Sequence, residues 1–289
     1  MPHTTVEQMN TSKSYICNEN EINGCYPSLT LGVLLTLLLL TVNIIALVGN
    51  AMLCGIVYRR SAMRSAINLL LANVAMTDFL IALMFLPSVI TVLNMKEWPF
   101  GDGLCKFNGF VIKLLNCEKV IVLLAISVDR YFIIVKRCDT LTLNKSKCVI
   151  GFSWVFSVIV SIPPVFGWGF YRFVRGCLQC LPFEESSPDD HRLAKSYTIF
   201  STIIVFVLPG FAFFCIYNRI LRTVRRNGFR VQNHPPVTPT AMHKKGKYFI
   251  DYCYKARTST TILLLSLMYL LSMLPLSVTN FHCLQHGNS

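Results

Sequence analysis

Asp129, Arg130 and Tyr131 stand consecutively inside "VIVLLAISVDRYFIIVKRC" (Val120–Cys138), a run that is otherwise apolar. An acid and a base placed there are either neutralised together or set at an edge where they can meet a partner. Asp78, Lys113, Glu118 and Lys119 are the other charges within long apolar runs. At the centre of a membrane helix an unpaired charge costs about 2.5–3.5 kcal/mol on insertion scales. Hydrolytic chemistry finds no support: the apolar runs contain no His, and neither H-E-x-x-H nor G-x-S-x-G occurs, so a nucleophile and its base cannot face one another. We read no enzyme and no cofactor. Cys177 and Cys180 in "CLQC" have a zinc-like spacing, but with no second pair and only His191 nearby no metal site is expected.

The elements that must carry these charges are membrane spans. Of 289 residues 53% are hydrophobic and 14% charged, well below the charge content of soluble domains. Six runs are long enough to cross a bilayer at about 1.5 Å per residue: Ser28–Tyr58, Ala66–Leu93, Lys106–Val135, Cys148–Trp168, Tyr197–Val224 and Thr258–Asn280. Met1–Pro27 is polar with no apolar core, so it is not read as a signal peptide. The expected fold is an all-α membrane protein, one helical bundle over 28–281, preceded by an N-terminal segment 1–27 and followed by a short tail 282–289. The longest cytoplasmic loop falls at about 225–256.

Orientation follows from the basic residues. Most of the 27 Lys and Arg lie in one alternating set of loops, with Arg59, Arg60 and Arg64, then Arg130 to Lys147, then Arg219 to Arg257, while the other set holds more acids than bases. The basic set is assigned to the cytoplasm, which puts the N-terminus outside. The net charge of +13 is thus a topology signal, with anionic lipid headgroups as its partner; no nucleic-acid partner is inferred.

In its motifs the chain resembles the rhodopsin-like G-protein-coupled receptors. Span 1 has "ALVGNAML" with Gly49-Asn50, and span 2 has "NLLLANVAMTD" ending in Asp78. "WPFG" precedes Cys105, Arg130 follows that Cys at the family's interval, span 4 has Trp154, span 5 has Pro209 and Tyr217, and span 6 has Pro275. Each is weak alone; the order is specific. "RSAINLLLA", "ISVDRYFIIVKRCDTLT" and "ILRTVRRNGFRVQN" look like two brain orphan receptors of that family, numbered forty-five and sixty-three.

The resemblance implies a receptor-type bundle at the plasma membrane that senses an extracellular ligand and activates heterotrimeric G proteins. Asp129 is expected to hold Arg130 at rest, with Tyr217 steadying it when active, at the cytoplasmic edge that ends in Tyr131. Lys255 replaces an acid that locks this Arg in some relatives. Pro209 and Pro275 lack a backbone N–H and bend their helices, which gives spans 5 and 6 pivots. The family's outer disulfide would join Cys105 to Cys180, with Cys177 as rival. Asn10 in "NTS" is the expected outer glycosylation site.

Ile112 lies about five helical turns before Arg130 and on the same face. Amine receptors have an Asp at that position, so an amine bound through this contact is excluded. Lys113 and Asn116 lie near the same face and favour an acidic or lipid ligand; the competing reading has Lys113 reaching outward or pairing with Glu184 or Glu185. Lysophospholipid receptors carry Arg-Glu where Asn108-Gly109 stands, so that motif lends such a ligand nothing.

Three departures bear on the switch. Family members commonly bind sodium beside the Asp of span 2, but here Lys119 replaces the matching Ser, and it is expected to pair with Asp78. Its neighbour Glu118 competes, although adjacent helical residues point about 100° apart. Asn50, Asp78, Glu118 and Lys119 are thereby grouped as one intramembrane polar site. Met273 replaces the Trp two residues before Pro275. No Asn-Pro-x-x-Tyr follows Asn280, which gives six of the family's seven helices. The alternative function is therefore a truncated, non-signalling form, retained in the endoplasmic reticulum and acting on another receptor chain.

Overall fold

The computed structural model describes residues 29–94, 98–174, 179–183, 188–233, 266–269, 271 and 274. Its elements in order are α1 (Leu29–Arg59), α2 (Ala66–Asn94), α3 (Gly101–Tyr131), α4 (Leu143–Ser161), the strands β1 (Phe170–Val174) and β2 (Gln179–Phe183), α5 (Pro188–Thr202) and α6 (Leu208–Asn233). A π turn, Ile203–Val207, joins α5 to α6. The fifth span is therefore one helix with a widened turn in its middle.

Four described helices are long and apolar enough to cross a membrane: Val33–Arg59, Ala66–Ile90, Leu143–Phe166 and Arg192–Arg226. α3 carries Lys113, Glu118 and Lys119 in its middle, charges that a lipid-facing helix could not hold. It is accordingly the central helix, packed against α2, α4 and α6. Cys117, Val120 and Leu123 of α3 meet Val160, Phe213, Tyr217 and Ile220 in the main core. α1 turns much of its apolar surface outward, Leu34, Leu38 and Ile45 among it, as a lipid-facing helix does.

α4 approaches α2 and α3 along a stripe of small residues. Ser146, Ser153, Ser157 and Ser161 are all fully buried at helical spacing. Small side chains let helix backbones come close where lipid gives no hydrophobic drive. Ser146 Oγ donates 3.0 Å to the Ala66 carbonyl at the start of α2.

Three helices begin before the expected span limits, while α4 ends at Ser161, short of Trp168. α3 begins at Gly101 rather than Lys106, α4 begins at Leu143 rather than Cys148, and α5 begins at Pro188 rather than Tyr197. Hydropathy marks where a helix is bathed in lipid; backbone hydrogen bonding continues into water. Thr142 caps α4 by accepting from the Lys145 N–H at 3.4 Å, the ordinary N-cap device. α3 ends in a π turn, Phe132–Lys136, closed by Arg137 in the left-handed region at φ 57°. Of the sixth span, Thr258–Asn280, only residues 266–269, 271 and 274 are described.

The bundle is helical as expected, but the loop between α4 and α5 adds a two-stranded antiparallel hairpin that the sequence reading did not foresee. Phe173 pairs with Cys180 and Tyr171 with Pro182. Its short strands alternate too little to stand out beside the long apolar runs.

Candidate functional site in the helical bundle

At the C-terminal end of α3, Arg130 and Asp129 are both buried. The guanidinium donates twice to Asp129 Oδ2, from Nη2 at 2.5 Å and Nε at 3.1 Å. Tyr131 leaves the pair and packs edge to face on Phe132. Tyr217 lies nearby on α6, where its hydroxyl is 3.0 Å from Ser127 Oγ and not on Arg130. Just before Pro209, the Leu208 N–H reaches back to Ile203 O. A proline cannot donate to the previous turn, and the π turn takes up the misfit. Sequence reasoning found the proline and missed the turn.

In mid-bundle, Lys119 Nζ is 2.5 Å from Asp78 Oδ1 and 5.2 Å from the centre of the Tyr269 ring. Tyr269 donates its hydroxyl to the Asn116 carbonyl at 3.1 Å, so this ammonium stands where α2, α3 and the sixth-span piece meet. An ammonium already seated on Asp78 does not fit a sodium ion there. Among the described residues no three His, Cys, Asp or Glu side chains converge as metal ligands.

The four residues grouped as one polar site separate. Asn50 Nδ2 bonds within its own helix to Ala46 O at 2.9 Å. Glu118 has no part in the Lys119 pair. It turns toward the contact between α2 and α4, fully buried, 2.8 Å from Asn73 Nδ2 and 2.8 Å from Ser153 Oγ. The rotation of about 100° between adjacent helical positions sends the two charges to different neighbours.

Toward the N-terminal end of α3, Lys113 Nζ donates to Ser201 Oγ on α5 at 3.0 Å. Asn116 Nδ2 bonds the Ile112 carbonyl at 2.9 Å, so Ile112, Lys113 and Asn116 share one neighbourhood. Above them the hairpin is tied to α3 by the Cys105–Cys180 disulfide, with Cα atoms 5.4 Å apart. Gly109 makes the close approach possible: a Cβ there would stand 2.6 Å from Tyr171 Cδ1 and 2.8 Å from Cys180 O. Burial raises the Tyr171 phenol well above its ordinary range. Met273, Pro275 and Asn10 lie outside the described residues, as do Cys177, Glu184 and Glu185.

Residues 49–286 match the family model of the 7 transmembrane receptor (rhodopsin family). The chain belongs to the rhodopsin family of seven-transmembrane receptors. Among its relatives, the high-affinity lysophosphatidic acid receptor of Xenopus laevis is 35% identical over 261 residues, covering 87% of this chain and 69% of that one. The human probable G-protein coupled receptor 45 is 34% identical, covering 84% of this chain and 67% of its own. The human probable G-protein coupled receptor 63 is 29% identical, covering 86% and 60%. In fold, the receptor is similar to squid rhodopsin, with a TM-score of 0.75 at 22% identity over 90% of this chain and 74% of that one. It is a multi-pass membrane receptor of a signal-transducing family.

Sequence reasoning about this receptor missed Asn73, Ser153 and Ser157, which surround Glu118. A serine every turn or two on one face of span 4 was the available signal. Trp154, noted only as a motif residue, donates its indole N–H to Asn73 Oδ1 at 3.3 Å.

Proposed function

We propose that this receptor senses an extracellular amphipathic ligand with an anionic head and passes the signal to heterotrimeric G proteins through Asp129-Arg130-Tyr131. The observation that carries the ligand class is the Lys113–Ser201 contact. A half-buried ammonium whose bonded partner is a neutral hydroxyl is poorly compensated, and an incoming phosphate or carboxylate supplies the missing charge. Similarity to the Xenopus laevis lysophosphatidic acid receptor supports a lipid. Gly109, packed against the hairpin, leaves no room for an Arg-Glu headgroup motif at Asn108-Gly109, so head recognition falls to Lys113. Ile112 offers an amine no counter-charge.

Coupling is read from the inner end. Asp129 holds Arg130 on one carboxylate oxygen in this arrangement, and Tyr217 is engaged with Ser127 close by. A swing of Arg130 toward the cytoplasm, with Tyr217 changing partners, opens a surface for the G protein, with the π turn and Pro209 as the pivot in the fifth span. We place the receptor in the plasma membrane with residues 1–27 outside, the bundle over 28–281 and the loop at about 225–256 inside.

The test is nucleotide exchange on purified heterotrimeric G proteins with membranes containing this chain. Lysophosphatidic acid, a long-chain fatty acid and a neutral monoacylglycerol serve as probes. Exchange driven by the anionic lipids alone, and abolished by Arg130→Ala, is expected. Equal responses to the neutral lipid refute the ligand class, and exchange that survives Arg130→Ala refutes the coupling route.

A further inference from the structure

The buried carboxyl of Glu118 has no place in the signalling path just described, yet its surroundings are the most completely built polar cluster in the bundle. Three helices supply it: Asn73 from α2, Glu118 from α3, and Ser153, Trp154 and Ser157 from α4. Trp154 Nε1 can only donate, and it does so to Asn73 Oδ1. That fixes the amide orientation, and Asn73 must present its NH2 to Glu118 Oε1 at 2.8 Å. Ser153 Oγ lies 2.8 Å from the same oxygen and 2.8 Å from the Ile150 carbonyl. Oε1 therefore has the surroundings of an acceptor.

Oε2 differs. Among the described residues its one hydrogen-bond contact is Ser157 Oγ, at 3.5 Å. An ionised carboxylate seeks several donors on both oxygens and, out of water, a cation. None is present among the described residues. α2 brings Asp78, already paired with Lys119; α3 brings Cys117 and Lys113, whose ammonium is on Ser201; the part of α4 facing Glu118 brings only Ser153, Ser157 and Trp154.

We propose that Glu118 is a proton-binding site, held as a neutral carboxylic acid whose carbonyl oxygen Oε1 receives Asn73 and Ser153 and whose Oε2–H is directed to Ser157. The ligand is a single proton. Bound, it lets α2, α3 and α4 close on a neutral hydrogen-bonded network; released, it leaves a buried carboxylate with one poorly bonded oxygen in the seam.

Infrared spectroscopy of the purified receptor in lipid nanodiscs tests this. A carbonyl stretch of a protonated carboxyl is expected in the wild type near neutral pH and missing from Glu118→Gln. Thermal melting separates the roles: Glu118→Gln, which keeps the shape and neutrality, should melt close to the wild type, whereas Glu118→Ala should melt several degrees lower. Ser157→Ala provides a variant that keeps the acid, and its carboxyl band should shift as the O–H loses its acceptor. A wild type without the band, a band that persists in Glu118→Gln, or a band indifferent to Ser157→Ala overturns the proposal. So does Glu118→Gln melting as low as Glu118→Ala.

Discussion

Lys119 Nζ rests on Asp78 Oδ1 at 2.5 Å and faces the Tyr269 ring at 5.2 Å, so one ammonium joins two complete helices and a piece of the sixth span. Both charged side chains keep about a quarter of their surface exposed, 21% and 27%, which moderates but does not remove their interdependence.

Removing one partner strands the other. Lys119→Ala and Asp78→Asn are each expected to destabilise the receptor by about 2–3 kcal/mol, below the cost for a fully buried pair. The double variant should lose less than the sum, by at least about 1 kcal/mol. Thermal melting of the four proteins in one detergent gives the cycle, and additive losses would show that the pair contributes nothing.

The Cys105–Cys180 bond closes a loop of 75 residues. Constraining a loop of that length is worth about 4 kcal/mol through the unfolded chain. Cys180→Ser should sharply lower the amount of receptor reaching the cell surface, measured by labelling intact cells. Cys177→Ser should be tolerated; the reverse result would assign the loop's other cysteine.

Gly109 is required by packing. Its added Cβ meets not only the Tyr171 ring but also the Cys180 carbonyl, and backbone cannot move aside as a flexible side chain can. Gly109→Ala is expected to cost about 1–3 kcal/mol, and Tyr171→Ala in the same chain should recover only part of it. A wild-type melting point for Gly109→Ala would mean the hairpin sits farther from α3.

Lys113 should discriminate ligands by charge. Lys113→Met is expected to weaken the response to an anionic lipid about ten- to hundredfold, the loss of one charged hydrogen bond. Lys113→Arg should retain most of it. Dose-response curves for nucleotide exchange read this directly, and a Met variant with unchanged potency would exclude Lys113 from head recognition.

Topology is checked by glycosylation. Asn10 should carry a glycan and Asn144, in the first turn of α4, should not, because only the former is assigned outside. Glycosidase treatment should remove one glycan's mass from the wild type and none from Asn10→Gln. A shift lost only with Asn144→Gln would invert the assignment.

Much was legible in the sequence because membranes impose simple rules. Runs of apolar residues give the spans, basic loops suggest the orientation, and the ordered motifs of spans 1 to 6 identify the family. Asp129 and Arg130 are neighbours in the chain, so their pairing needed only a shared burial. Where each helix stops was less legible: α3, α4 and α5 extend beyond their apolar stretches, since backbone hydrogen bonds persist after lipid ends. The hairpin and the π turn before Pro209 left only faint local patterns.

Partner choice for Glu118 was a tertiary matter. The sequence expected Lys119 to pair with Asp78 and turned Glu118 about 100° away from it, but it grouped all three with Asn50 as one polar site and named no partner for Glu118. The fold split them by azimuth: one turn of about 100° along α3 gives Lys119 to Asp78 and Tyr269 and gives Glu118 to Asn73, Ser153 and Ser157. The sequence by itself determined that these charges had to be compensated, because hydrocarbon offers them nothing. Only the packing of α4 beside α2 and α3 decided that Glu118 is met by hydroxyls and an amide.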